Sequence, residues 1–166
     1  YKIYDETGCQ LCPDAANKVI GYVNAITDLK AVPHMALEEA SAKGLYQPIG
    51  SDVLDAFLAE VKKQSLYEEP SDIKIVYTPL HGTGNIPVRK ILEGMNVSVV
   101  KEQELPDGNF STVRSPNPEE KDALTLGIAQ AERENADLVL GTDPDCDRVG
   151  IAVRHNGAYV LMTGNQ

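Results

Sequence analysis

Apolar positions change rhythm near the middle of this chain. From residue 73 onward, compact β-rich runs alternate with stretches whose apolar residues recur at three and four. Residues 73–77 (Ile-Lys-Ile-Val-Tyr), 97–100 and 138–142 read as strands. Between them, Val88, Ile91, Leu92 and Met95 mark one helix. A second is predicted to start at Asn117-Pro118-Glu119-Glu120, with a capping residue, a first-position proline and an early glutamate, and to bury Leu124, Ile128 and Ala131. Residues 149–153 and 158–162 flank Asn156-Gly157, a pair suited to the positive φ angles of a two-residue hairpin. Residues 102–116 are a long polar loop punctuated by Pro106, Gly108 and Pro116. This alternation predicts a layered α/β domain with a mixed, mainly parallel sheet flanked by helices.

The first fifty residues are less regular. Residues 1–5 read as a short strand, and Pro13 suits the first turn of a helix whose apolar face is Val19, Ile20, Val23 and Ile26. Residues 28–50 read as a connection with one short helical turn near 36–40. Ser51 is the expected N-cap of a helix carrying Val53, Leu54, Phe57, Leu58 and Val61.

Where the third predicted strand ends, the chemistry begins. Gly141-Thr142 leads into Asp143-Pro144-Asp145-Cys146-Asp147-Arg148, three alternating carboxylates followed by an arginine. Held extended, those carboxylates would spread over roughly 13 Å at about 3.3 Å per residue, too far to meet at one ion. A curled loop would bring them together, and their mutual repulsion would then call for a hard divalent cation such as Mg²⁺. An EF-hand reading fails, since its sixth and twelfth positions need glycine and glutamate and here hold Arg148 and Arg154. A haloacid-dehalogenase-type phosphatase also places Asp-x-Asp after a strand; its fifth position usually holds threonine or valine, where this chain has Asp147. It is one alternative reading, with Asp143 as nucleophile and Asp145 as general acid; a non-catalytic Mg²⁺- or Ca²⁺-binding module is the other.

Other candidates are weaker. Thr78-Pro79-Leu80-His81-Gly82-Thr83-Gly84-Asn85 lies between a strand and a helix, where glycines and a helix start would suit an anion. It matches neither phosphate-loop signature, and a tight strand-to-helix turn explains it equally well, with His81 capping or buttressing. Ser115 shows no base beside it and is rejected as a nucleophile. Cys9 and Cys12 form a C-x-x-C pair without the second Cys/His pair that zinc requires.

The chain has 166 residues and a net charge of −10, which argues against a nucleic-acid partner. No apolar run approaches the ~20 residues of a membrane span, and no signal peptide is visible. Three cysteines without a disulfide framework point to the cytoplasm. A start at Tyr1 without methionine is compatible with a piece of a longer protein.

Four motifs occur in order: Thr78 to Gly84, Asp107-Gly108-Asn109-Phe110, Pro116-Asn117-Pro118-Glu119, and Gly141 to Arg148. Together they resemble the second domain of the α-D-phosphohexomutases, the phosphoglucomutase and phosphomannomutase family. The resemblance makes residues 46–166 a metal-binding α/β domain and residues 1–45 the final strand and helix of a preceding domain plus linker. It implies a four-domain enzyme moving phosphate between the 1- and 6-positions of a hexose, glucose 1- or 6-phosphate first among them. It also implies that Asp143, Asp145 and Asp147 hold Mg²⁺ against a phosphoserine, with Arg148 at the same catalytic centre. This chain contains no Ser-His-Asn-Pro loop, sugar-selecting loop or phosphate-gripping domain, so the remaining mutase domains are expected partners. The chain alone is expected to lack mutase activity. Cys146 stands where the family usually has alanine.

Overall fold

The computed structural model describes residues 3–66 and 72–166. They fall into two compact units, Tyr1–Pro48 and Ile49–Gln166.

The first unit holds helices α1 (Pro13–Asn24) and α2 (Leu37–Ala42), with a 3₁₀ turn at Leu29–Ala31. Pro13 opens α1, as expected of a residue without an N–H to satisfy. The strand expected over residues 1–5 reduces to an antiparallel bridge between Tyr4 and Gln10. Asp5 turns the chain there by accepting from Thr7 N–H, and its own N–H reaches the Cys9 carbonyl. Residues 1 and 2 of that expected strand lie outside the described residues. Neither helix of this unit buries a residue.

The second unit is a mixed sheet with helices. In chain order it runs α3 (Ser51–Lys62), β1 (Lys74–Thr78), α4 (Asn85–Ile91), β2 (Asn96–Val99), α5 (Thr125–Glu134), β3 (Leu138–Thr142), β4 (Val149–His155) and β5 (Ala158–Met162). The strand order is β2-β1-β3-β4-β5. β1 pairs in parallel with β2 and β3, and β4 and β5 add antiparallel. The connections through α4 and α5 cross the sheet in opposite directions, so right-handed crossovers place these helices on opposite faces. Between β1 and β3 the connections diverge, and in open α/β sheets this opens a crevice beyond the strands' carboxyl ends.

On one sheet face Val76, Val139 and Ala152 pack with Val100, Leu124, Ala131 and Ala136 in a hydrophobic core. Full burial of a side chain such as Leu124 contributes about 1.5–3 kcal/mol. Gly127 lets α5 approach, since a Cβ there would stand 2.8 Å from Val139 Cγ1. Asn135 ends α5 in the left-handed conformation (φ 57°), and the Ala136 N–H reaches back to the Ala131 carbonyl. The β4–β5 hairpin turns at Asn156-Gly157 with φ of 49° and 82°, the conformation that suits this pair.

Two expectations about helix starts fail. Gly50, not Ser51, occupies the N-cap of α3, and no side chain caps it. The helix expected from Asn117 begins only at Thr125. Asn117 Oδ1 does accept from Glu119 N–H, but the chain then proceeds through turns, with N–H to carbonyl bonds at Glu120–Asn117, Ala123–Glu120 and Leu124–Lys121. Packing overrides the local signal. Pro118 is fully buried and lies across Gly141 and Gly150, neighbours in the β3–β4 register.

The polar loop after β2 is ordered by Asp107. Its carboxylate accepts from the N–H groups of Asn109 and Ser111 and from the Ser111 hydroxyl. The Ser111 hydroxyl and the two backbone bonds hold it down at about 2. A depressed carboxylate contributes order that is complete above its ordinary value near 4 and lost as pH falls through the depressed one. The Asn109 and Ser111 amide resonances should therefore stay put between pH 7 and 4 and move with a midpoint near 2. A midpoint near 4 would show that these bonds do not hold the charge.

Candidate metal centre

The sequence places Gly141 and Thr142 at the buried end of β3, and the chain leaves the sheet at Asp143. Pro144 cannot continue the ladder, since it has no N–H to donate. The chain turns instead: the Cys146 N–H bonds to the Asp143 carbonyl at 3.0 Å, and Cys146 takes the left-handed conformation (φ 62°). This curl gathers the alternating carboxylates. One oxygen from each of Asp143, Asp145 and Asp147 lies within 4.8 Å of the others.

Arg148 closes the arrangement. Its N–H donates to Asp143 Oδ1 and its Nε to Oδ2, both at 2.9 Å, and Nε lies 4.0 Å from Asp147 Oδ1. Burial pushes the Asp143 carboxyl up. The Arg148 N–H and guanidinium, with a hydrogen bond shared with Asp145, outweigh burial and hold it below the ordinary carboxylate range. The Asp143 side chain is 2% exposed and that of Arg148 48%. The centre is thus anchored at Asp143 and open at Asp145, Asp147 and Arg148.

The donors are hard oxygens, the set that suits Mg²⁺, Ca²⁺ or Mn²⁺. Cys146 adds no sulfur to it, because its Sγ lies against Gly84 outside the cluster. Among the described residues this is the one cluster of His, Cys, Asp or Glu side chains close enough to hold a metal. Cys9 and Cys12 are exposed, free and not part of such a group.

Four N–H groups of the loop after β1 are engaged within the fold and not free for an anion: Leu80 to Thr78 Oγ1, His81 to the Gln103 carbonyl, Gly82 to that of Pro79 and Thr83 to that of Pro144. This loop packs instead on the aspartate loop. A Cβ on Gly82 would stand 2.4 Å from Pro144 Cα, and Thr83 donates to the Pro144 carbonyl through both N–H (2.9 Å) and hydroxyl (3.1 Å). A Cβ on Gly84 would crowd Tyr77 Oη, Cys146 Sγ and Thr142 Oγ1. Beneath, the Tyr77 and Thr142 hydroxyls pair at 2.9 Å, and burial pushes the phenol up to about 12.

His81 buttresses, as one of its expected roles required. It is buried, with Nδ1 2.8 Å from the Leu105 carbonyl and Nε2 2.8 Å from Thr112 Oγ1. The Ser115 hydroxyl meets a carboxylate after all, Glu120 at 3.3 Å, inside a local turn that also holds Asn117 and Arg114. Nothing in the local pattern pointed to the junction of the two loops; the paired glycines at 82 and 84 were the available signal.

Residues 55–157 match the profile of the family described as "Phosphoglucomutase/phosphomannomutase, alpha/beta/alpha domain II". A phosphoribomutase of Saccharomyces cerevisiae is 35% identical over 188 residues, covering all of this chain and 30% of that protein. A phosphoglucomutase of Staphylococcus saprophyticus is 35% identical over 169 residues, covering 99% of this chain and 31% of the relative. The chain thus spans about a third of the length of the curated relatives it matches. A solved phosphoglucomutase/phosphomannomutase family protein from Burkholderia thailandensis shares the fold, with a TM-score of 0.54 at 20% identity over 66% of this chain and 22% of that one. Since the profile covers more than half of its residues, the chain belongs to the phosphoglucomutase/phosphomannomutase family and carries that family's second α/β/α domain.

Proposed function

We propose that Asp143, Asp145 and Asp147 hold Mg²⁺ and that Arg148 is a catalytic residue beside it, in an enzyme moving phosphate between the 1- and 6-positions of a hexose phosphate. The observation that carries this reading is the convergence of the carboxylates beside Arg148, at the carboxyl end of β3 and next to the crevice between β1 and β3. Names of relatives, phosphoglucomutases and a phosphoribomutase, support a sugar phosphate as substrate. Glucose 1- and 6-phosphate are the proposed pair. The nucleophilic phosphoserine lies outside this chain, as do the sugar-selecting and phosphate-gripping parts. Residues 1–45 would complete a preceding domain and residues 46–166 form the metal-bearing one. The cytoplasm is the proposed location.

Bound Mg²⁺ supplies positive charge that offsets the negative charge gathered on a transferring phosphoryl group. This chain's own residues do the placing. Asp143 is fixed by the fold and holds the guanidinium of Arg148 by its Nε, so the cation sits beside the carboxylates before substrate arrives. Asp145 and Asp147 remain exposed at the mouth of the crevice.

Geometry weighs against the aspartate-nucleophile alternative. Both oxygens of Asp143 accept from Arg148, which draws charge from the carboxylate and makes it a poorer nucleophile toward phosphorus, while leaving lone pairs for a cation.

The test is a MgCl₂ titration of the 166-residue chain by calorimetry, beside Asp145→Ala. Saturable binding that weakens at least tenfold in the variant is expected, along with no glucose phosphate turnover by either chain. Binding undiminished in Asp145→Ala would remove this loop as the metal centre.

A further inference from the structure

The loop after β1 is the least expected neighbour of the aspartates, and its backbone is unusual. Leu80 and His81 both take positive φ, 47° and 63°, although neither is glycine. Such a pair persists only where its surroundings over-determine it. Here they do. The Leu105 carbonyl can only accept, so His81 Nδ1 carries the proton bonded to it. Thr112 Oγ1 accepts from Gln103 Nε2 and lies 2.8 Å from His81 Nε2. Gln103 Oε1 in turn accepts from the Thr78 hydroxyl, which accepts from Leu80 N–H. Every member of this chain has a partner.

The two residues after His81 touch the metal loop. Gly82 lies against Pro144, and Thr83 donates twice to the Pro144 carbonyl. Pro144 stands between Asp143 and Asp145, so the position of its carbonyl sets the direction in which Asp145 leaves. His81 itself is outside the carboxylate cluster.

We propose that His81 is a positioning residue for the metal centre: its ring, clamped between Leu105 and Thr112, fixes the left-handed Leu80–His81 backbone that seats Gly82 and Thr83 on Pro144 and thereby sets the curl of the aspartate loop. This inference rests on the reading of Asp143, Asp145 and Asp147 as magnesium ligands.

The test follows MgCl₂ binding and backbone amide resonances of the 166-residue chain in wild type, His81→Ala, His81→Asn and Thr112→Val, each kept well below its own thermal midpoint. His81→Ala is expected to weaken magnesium about tenfold, the lower end of what supporting residues around metal ligands contribute. It should also shift the Asp145 to Arg148 amides before any metal is added. Asparagine tolerates the left-handed backbone and returns an N–H toward Leu105, so His81→Asn should keep most of the affinity. Thr112→Val should fall between them. Unchanged affinity with unmoved amides in His81→Ala, or equal losses in His81→Ala and His81→Asn, would overturn the proposal. Should His81→Ala fail to fold, Thr112→Val against His81→Asn decides by the same readouts. If the wild-type chain binds no magnesium, the metal reading fails; the metal-free amide shifts then decide alone whether His81 positions the loop.

Discussion

An Asp143→Ala chain is expected to lose magnesium binding and about 1–2 kcal/mol of stability together, whereas Asp145→Asn should lose the binding and become slightly more stable. The difference follows from burial. Asp143 accepts the Arg148 N–H and guanidinium from a buried position, so its removal leaves the turn after β3 without its anchor. Hydrogen bonds to a charged group contribute about 1.5–3 kcal/mol, discounted here because half-exposed Arg148 regains solvent. Asp145 is exposed and stands among like charges. Two carboxylates 4 Å apart repel by about 1 kcal/mol in water-like surroundings, so neutralising one relieves the metal-free loop. The asparagine amide also brings a donor that can face Asp143. A midpoint rise of roughly 1–3 °C without metal is the expected gain. Thermal melts with and without MgCl₂ separate the effects: added metal should raise the wild-type midpoint and leave both variants unmoved. If Asp145→Asn lowers the metal-free midpoint, the carboxylates do not strain the loop.

That tension between a strained loop and a ligand was legible in the spacing of three aspartates after an apolar strand, because both features are local. So were β3, found over the residues expected, and the Asn156-Gly157 turn. What local pattern misses is contact at a distance. Thr83 meets Pro144 61 positions away, and two of the four loop N–H groups that look available to an anion, those of His81 and Thr83, are engaged by such contacts. The helix signal at Asn117 fails for the same reason. Its cap bond forms, yet Pro118 is drawn onto the sheet where Gly141 and Gly150 leave room, and the turn needed to reach it delays the helix to Thr125. Local propensity is a weak prior against packing of that kind.

Gly150→Ala therefore carries the largest stability effect expected in this chain, about 3–4 kcal/mol. Its added Cβ would stand 2.0 Å from the Pro118 carbonyl oxygen and 2.5 Å from its carbon. Those are backbone atoms and cannot rotate aside. Relief requires lifting the 116–120 segment off β4, which uncovers fully buried Pro118 and loosens Leu124 beside it. Overpacking typically costs 1–3 kcal/mol, and more when backbone must move. Gly141→Ala is the internal control. Its Cβ would meet Leu124 Cδ2 at 2.6 Å, the end of a side chain that has other rotamers, and Pro118 Cβ only at 3.3 Å, so about 1–2 kcal/mol is expected there. Urea unfolding of both variants should show an unchanged slope and a much larger midpoint loss for Gly150→Ala. Equal losses would mean that the segment yields as easily as a leucine methyl.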